Sequence, residues 1–311
     1  MDRLAFKKIQ QMATQPEAFS RTIEYVAGNL RQFIRRQERV LICFSKREEC
    51  GIAEIMERSV RVSGGIPMHW GPDYRWKALL RQAFSSRATV IIGPPLVILG
   101  LVKLARSTKT PLFVRNVLTV GAYCPDWMKD GIQNGLDCRV WECYALGYSP
   151  VIGGFTCKCG DVHLRAEAYT FEIVDDGGEA LPEGSVGNVI LSSKQEPQVR
   201  YLTSERGRLR GESCACGDKT PRLTDILPGS GMDPELVKLT AELLAWNSIL
   251  DCRLLRGSYG LEVEIVVFPG EKLPRLPSCA KQVLRPWDPE ADMPFSLVPG
   301  WKNSENPWEN H

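Results

Sequence analysis

Cysteine and histidine residues in the middle of the chain have the types and spacing needed to bind a metal ion. Cys157 and Cys159 form a Cys-x-Cys pair, His163 follows closely, and a second pair, Cys214 and Cys216, lies downstream. Thiolate sulfurs and imidazole nitrogens are the ligands that zinc takes at tetrahedral geometry. A site closed by four protein ligands is structural rather than catalytic. The pattern therefore predicts a structural zinc site.

The composition indicates the setting of these thiols. The chain has 311 residues and 11 cysteines, and its first residues contain no apolar signal-peptide core. Without an export signal, the thiols are expected to be reduced and the protein cytoplasmic. Paired cysteines are then expected to hold metal rather than to form disulfides.

Charge and hydropathy argue against two classes of partner. The formal net charge of +2 gives no reason to expect nucleic acid or an anionic membrane as a partner. The most apolar run, residues 90–105, is interrupted by a Gly-Pro-Pro turn and by Lys103. It is too short and too broken to span a bilayer, so the sequence predicts a protein without a membrane partner.

The elements that must position the cysteines begin with an alternation of helices and strands. Helical spacing of apolar residues is found at 17–37, 52–62, 74–84, 96–105 and 125–134. Short apolar runs suited to buried strands lie at 40–44, 89–93 and 112–120. Strands alternating with helices predict an α/β fold, with a parallel sheet core and flanking helices.

Further along the chain the pattern changes to short strands, expected at 169–174, 188–192 and 199–202 with turn signals between them. A helix over 234–246 and a hairpin over 248–268 then form a reduced C-terminal αββ unit, and 280–311 shows little periodicity. The chain is therefore predicted to contain an α/β core (1–168), a zinc-stapled β-subdomain (169–227), and the C-terminal unit with its tail (228–311).

Six ordered blocks within this region resemble a known family. They read Tyr-Ala-Leu-Gly-Tyr at 144–148, Cys-Lys-Cys-Gly-Asp-Val-His at 157–163, Glu-Ile-Val-Asp at 172–175, Pro-Glu-Gly at 182–184, Arg-Tyr-Leu-Thr-Ser-Glu at 200–205, and Cys-Ala-Cys-Gly-Asp at 214–218. In this order they resemble the phenylacetate-CoA ligase branch of the adenylate-forming (acyl-CoA synthetase) superfamily. The resemblance implies that family's α/β core, AMP-forming acyl-CoA ligation, and ATP or AMP, CoA and Mg²⁺ as ligands.

The resemblance also implies which residues hold the metal. The zinc-type ligands of the family match one cysteine of the 157/159 pair together with His163, Cys214 and Cys216. Cys157 is favoured by its position in the block, which leaves Cys159 as a spare thiol. The alternative is that these residues are thiols without metal.

Two residues are expected at a nucleotide. Tyr144 opens the block that reads Tyr-Gly-x-Thr/Ser-Glu in the family, and Glu205 stands where the family has the aspartate that binds the ribose hydroxyls. Glutamate keeps the carboxylate but is one methylene longer. The resemblance therefore implies that ribose binding is possible at this position.

Several catalytic positions depart from the family pattern. Ala145 replaces a glycine of the family pattern, and Asp218 replaces an arginine. Tyr148 replaces the glutamate that helps the family to hold Mg²⁺. The Ser/Thr/Gly-rich phosphate loop is missing, as if the chain began just downstream of it. The catalytic lysine of the family has no convincing counterpart, because Lys302 lies in the tail. Because each such group is typically worth several kcal/mol of transition-state stabilisation, adenylation by this chain alone is expected to be impaired.

Three functions are compatible with these residues. The first is an impaired homologue that binds a nucleotide, acyl or CoA ligand or acts as a subunit. The second is an active ligase completed by a partner chain that supplies the phosphate loop, with a homodimer as a further possibility for assembly. The third is a structural module in which zinc stabilises a docking surface.

Overall fold

The computed structural model describes residues 3–44, 51–71, 74–121, 123–147, 149–229, 233–257, 260–270 and 281–294. The helices of these residues are α1 (Arg3–Ala13), α2 (Pro16–Leu30), α3 (Ile52–Val62), α4 (Trp76–Ser86), α5 (Pro95–Ser107), α6 (Asp126–Leu136) and α7 (Pro234–Leu244). The strands are β1 (Arg39–Ile42), β2 (Ile66–His69), β3 (Val90–Gly93), β4 (Asn116–Val120), β5 (Arg139–Ala145), β6 (Ile152–Thr156), β7 (Val162–Leu164), β8 (Tyr169–Val174), β9 (Val186–Ser193), β10 (Arg200–Arg210), β11 (Arg222–Pro228), β12 (Ile249–Gly257), β13 (Gly260–Val267) and β14 (Lys281–Pro286).

Among the described residues, eleven strands form one sheet in the order β2-β1-β3-β4-β5-β6-β7-β11-β10-β9-β8. The strands from β2 to β5 pair in parallel, and every pairing from β5 onward is antiparallel. The predicted parallel α/β core is therefore confirmed. The antiparallel strands do not form a separate layer, because β6 pairs directly with β5 and continues the same sheet.

Helices cover both faces of the parallel strands. On one face, α2 and α3 bury Leu30, Ile55 and Met56 against β1, β3 and β4. On the other face, α4, α5 and α6 pack around Trp76 and Leu101. The added helix α1 covers the antiparallel strands. None of the helices in the described part of the chain has the length and apolarity needed to span a bilayer.

The C-terminal unit contains the predicted helix and hairpin, as α7, β12 and β13, together with a third strand, β14, which pairs in parallel with β13. The sequence does not predict β14. This strand is exposed over nearly its whole length, so it carries no alternation of apolar and polar residues that would identify a strand.

Lys103 joins this unit to the core. Its side chain is buried on α5, and its Nζ donates hydrogen bonds to the carbonyl oxygens of Leu244 (2.5 Å), Ile249 (2.9 Å) and Trp246 (3.2 Å). These carbonyls lie at the end of α7 and the start of β12, where backbone acceptors need a donor. The residue that interrupts the apolar run therefore attaches the C-terminal unit to α5.

Replacing Lys103 with methionine should lower the free energy of unfolding by about 2–4 kcal/mol, because three carbonyl groups lose their donor and two of these hydrogen bonds are buried. Lys238→Met is a matched control on the exposed side of α7, and it should change this free energy by less than about 0.5 kcal/mol. Chemical denaturation followed by circular dichroism measures both variants. Equal losses in the two variants would contradict the role assigned to Lys103.

The same pair of proteins tests a pH dependence. Burial lowers the pKa of Lys103 from 10.5 to about 8. Between these values the unfolded chain binds a proton at this residue that the folded chain does not, so the contribution of Lys103 to stability rises with pH. The gap in unfolding free energy between wild type and Lys103→Met should therefore widen from pH 8 to 10.5. A constant gap would rule out this titration.

Candidate metal centre and adjoining cleft

Four of the five candidate ligands come together in space. The ligand atoms of Cys157, His163, Cys214 and Cys216 all lie within 4.8 Å of one another. The sulfurs of Cys157 and Cys214 are 3.8 Å apart, and the Cys216 sulfur is 3.3 Å from His163 Nε2. The exposed Cys159 is not part of this group.

These separations fit a tetrahedral zinc ion. Sulfurs that are each about 2.3 Å from a common ion in tetrahedral geometry lie roughly 3.8 Å apart. The donor set of three thiols and one imidazole is also typical of structural zinc. The residues present therefore fit the metal that the sequence pattern predicts.

Two loops of the same sequence pattern carry the cysteines. Residues 157–161 and 214–218 both read Cys-x-Cys-Gly-Asp. In each loop the amide of the first cysteine donates to the carbonyl of the aspartate (2.9 and 3.4 Å), and the glycine amide donates to the carbonyl of that cysteine (3.0 Å in both). Gly160 and Gly217 have φ of +96° and +95°, a conformation that favours glycine. The cysteine pairs were predicted from the sequence, whereas this five-residue repeat was not.

The loops also direct backbone amides at the sulfurs. The amide of Cys159 donates to Cys157 Sγ (3.3 Å), that of Cys216 to Cys214 Sγ (3.5 Å), and that of Asp218 to Cys216 Sγ (3.4 Å). Such donors stabilise a thiolate, which is the form that binds metal. The Cys216 amide and, next, the His163 ring lower the pKa of Cys214 to about 6.

His163 is oriented by two polar residues that the sequence analysis did not identify. The Thr220 hydroxyl donates to Asp218 Oδ1 (2.9 Å), and His163 Nδ1 lies 2.9 Å from the same hydroxyl oxygen. Because a hydroxyl has only one proton, Nδ1 must be the donor to Thr220. With Nδ1 as the donor, Nε2 can act as a metal ligand, and it lies 3.3 Å from Cys216 Sγ. Only the spatial arrangement reveals this relay.

A cleft of about 500 Å³ adjoins the cysteine loops. It opens at the carboxyl ends of β4 and β5, the edge where α/β sheets commonly bind ligands. Its lining comes from β4, β5, α6, β10, β11 and the first cysteine loop, namely Thr119, Tyr123, Cys124, Asp126, Lys129, Glu142–Ala145, Gly160–Val162, Glu205 and Leu223–Leu227.

The structure brings both residues expected at a nucleotide into this cleft. Tyr144 and Glu205 are 8% and 5% exposed. The Tyr144 hydroxyl donates to Glu205 Oε2 (3.3 Å), and the Ser204 hydroxyl donates to Glu205 Oε1 (3.2 Å). Burial and then the Glu205 charge raise the pKa of Tyr144 well above its ordinary value, so its hydroxyl remains a hydrogen-bond donor.

A charged pair lies in the same cleft. Lys129 Nζ is 2.7 Å from Glu142 Oε1. Burial raises the pKa of Glu142, although the neighbouring Lys129 opposes this shift. The pair was not predicted from the sequence, because the two residues come from α6 and β5 and meet only in the fold. Tyr148 and Lys302 lie outside the described residues.

Arg222, which lies four residues beyond the second cysteine loop, does not line the large cleft. Arg222 forms ion pairs with Asp161, in the first cysteine loop, and with Glu212 (3.3 Å). It therefore links the two loop regions across β11. Asp218, at the position of the family arginine, belongs to the histidine relay.

Comparison with known proteins gives a match in fold but not in sequence. No protein-family model matches the chain, and no curated protein matches it in sequence. A structure of 2-hydroxyisobutyryl-CoA ligase in the postadenylation state, with R3-HIB-AMP, matches with a TM-score of 0.65 at 15% identity, over 80% of this chain and 58% of the ligase.

Two aromatic-acid ligases have similar structures. The anthranilate-CoA ligase AuaEII, in complex with anthranoyl-AMP, gives a TM-score of 0.55 at 12% identity, over 88% of this chain and 61% of that one. A benzoate-CoA ligase from Burkholderia xenovorans LB400 gives 0.53 at 11% identity, over 85% and 61%. The present chain thus spans about three fifths of the length of these ligases. At such low identity the likeness concerns the fold, and the chain has the fold of the adenylate-forming acyl-CoA ligases.

Proposed function

We propose that the chain is a shortened homologue of phenylacetate-CoA ligase-type enzymes that binds a nucleotide, alone or joined to an acyl group, in the cleft. The observation that carries this proposal is the pair of Glu205 and Tyr144 inside a cleft at the carboxyl ends of β4 and β5. A zinc ion held by Cys157, His163, Cys214 and Cys216 would stabilise the loop that forms one wall of this cleft.

The chemistry of the cleft supports a nucleoside monophosphate moiety. The Glu205 carboxylate accepts hydrogen bonds from the hydroxyl groups of Tyr144 and Ser204. The two hydroxyl groups of a ribose are donors of the same kind. Lys129 offers a cation for a phosphate, while Glu142 limits the net positive charge. Two of the ligases with this fold were solved with acyl-AMP compounds, which supports the same class of ligand here.

Catalysis by this chain alone is the less favoured function. The position at which the family has its metal-binding glutamate is Tyr148, and a neutral phenol is a poor ligand for Mg²⁺. We therefore propose that the chain binds a nucleotide or acyl nucleotide without adenylating an acid efficiently. We also propose that it acts in the cytoplasm, where cysteine thiols remain reduced. The proposal includes binding of CoA by the chain and its action as a subunit beside a complementing protein.

Calorimetric titration of the zinc-analysed protein with AMP, ATP and a CoA thioester, with and without Mg²⁺, tests this function. Saturable binding of AMP or the CoA thioester, independent of Mg²⁺, is the expected result. ATP binding that requires Mg²⁺ would instead favour an active ligase site. The absence of binding by every nucleotide and thioester would overturn the proposal and favour a zinc-stabilised docking module.

Glu205→Gln should weaken AMP binding by about ten-fold to a hundred-fold, because hydrogen bonds to a charged acceptor are worth about 1.5–3 kcal/mol. The matched control is Glu172→Gln, which removes a carboxylate that pairs with Arg200 on the exposed surface of β8. That control should leave the dissociation constant unchanged in the same calorimetric assay. Equal affinity for AMP in wild type and Glu205→Gln would place the ribose elsewhere.

Zinc content should distinguish the two thiols of the first cysteine loop. Cys157→Ser should reduce bound zinc well below one ion per chain and lower the thermal unfolding midpoint by about 5 °C or more, because metal binding contributes folding free energy. Cys159→Ser, the same substitution two positions along, should retain the metal and the midpoint. Elemental analysis and differential scanning calorimetry measure both quantities. Full metal content in Cys157→Ser would show that the assignment of this ligand is wrong.

A further inference from the structure

A second cavity, of about 520 Å³, lies between helices α1 and α2 and the ends of β8 and β9. None of its lining residues lines the cleft described above. One wall is apolar and is formed by Ile9, Met12 and Ala13 of α1, all of them buried. The cavity is large enough for a small organic molecule.

The polar side of this cavity contains a buried arginine. The Arg165 side chain is 5% exposed. Its Nε donates to Glu167 Oε1 (2.9 Å), and its Nη1 donates to Thr22 Oγ1 (2.8 Å). Its guanidinium carbon lies 4.8 Å from the ring centre of Tyr25 and 6.0 Å from that of Tyr169. The guanidinium is therefore fixed in position by two hydrogen bonds and two aromatic rings.

Arg165 nevertheless keeps hydrogen-bonding capacity. Within the described residues, Nη2 has no hydrogen-bond acceptor, although a guanidinium has five N–H donors. Ser193, which is 5% exposed and also lines the cavity, accepts a hydrogen bond from the Gln195 amide (3.2 Å). Its own hydroxyl proton remains available to an acceptor. Both buried groups thus offer donors to the same cavity.

The buried cation of the lining favours an anion. The lining contains the cations Arg21, Arg165 and Lys194 and the carboxylates Glu24 and Glu167. Arg21 pairs with the exposed Glu17 (2.5 Å), so the buried Arg165 is the cation that a bound anion would meet. Glu167 is largely exposed, so water screens its attraction for Arg165. A guanidinium in a cavity with an apolar wall is suited to a carboxylate that carries a short hydrocarbon chain.

We propose that this cavity is a binding site for a small monocarboxylate with an apolar chain. The carboxylate accepts hydrogen bonds from Arg165 Nη2 and the Ser193 hydroxyl, and the chain packs against Ile9 and Met12. This site is separate from the proposed nucleotide site, and it does not depend on nucleotide binding. The competing interpretation is that Arg165 only fastens α2 to the sheet through Thr22 and Tyr25.

Isothermal titration with hexanoate tests the proposal, and hexanamide serves as the uncharged analogue. Hexanoate should bind saturably, with one site per chain, and hexanamide should bind at least about ten-fold more weakly because it lacks the charge that pairs with Arg165. Saturating AMP should leave the hexanoate affinity unchanged. Hexanoate that fails to bind, or that is displaced by AMP, would overturn the proposed site.

Two variants locate the binding. Arg165→Met should weaken hexanoate by about ten-fold or more, whereas Arg139→Met, which removes an arginine stacked on Trp141 outside the cavity, should have no effect. Arg165→Met also removes contacts to α2, so a second variant fills the cavity instead. Ala18→Phe keeps Arg165 and its hydrogen bonds, and it should abolish hexanoate binding without lowering the thermal midpoint. Unchanged affinity in Ala18→Phe would show that hexanoate binds elsewhere, whether or not AMP binds to the protein.

Discussion

The pairing of β7 with both β6 and β11 is the constraint on which the candidate site depends. His163 lies at the centre of this pairing, opposite Phe155 on one side and Arg222 on the other. The first cysteine loop connects β6 to β7, and the second precedes β11, so the register brings both loops to the same end of the strands. The same register forms two walls of the cleft, from Gly160–Val162 and from Leu223–Leu227. A metal ion at the loops would fix this geometry further.

Buried polar groups in the described site are held by complementary partners. Amides face the sulfurs of the cysteine loops, hydroxyls face Glu205, and Lys129 faces Glu142. Such groups lose hydration on burial, and the arrangement offsets only part of that loss. Apolar residues would fill the same space at less cost in stability. The nucleotide proposed for this cleft would account for the presence of two carboxylates in it.

The sequence predicted those parts of the fold that bury a regular apolar face. The helix expected over 52–62 is observed as Ile52–Val62, because one side of it packs into the core. The strand β14 left no signal because it is largely exposed, and the helix α1 was not predicted. The core itself follows from the helix–strand alternation. The continuation of the sheet beyond β5 depends on long-range pairing, which periodicity does not encode.

Local patterns and spatial arrangement contributed differently to the candidate site. The resemblance named Cys157, His163, Cys214 and Cys216, and the structure brings them together, while zinc itself stays a prediction. Thr220 and Lys129 could not be identified from sequence, since each acts on a residue from another element. The role proposed for Arg165 could likewise not be identified from sequence. It follows the zinc-ligand candidate His163 by two residues, and its amide donates to Gly153 in β6 (2.7 Å). The strand pairing that orients the histidine thus also holds the guanidinium in the second cavity, so loosening of the cysteine loops would disturb both sites.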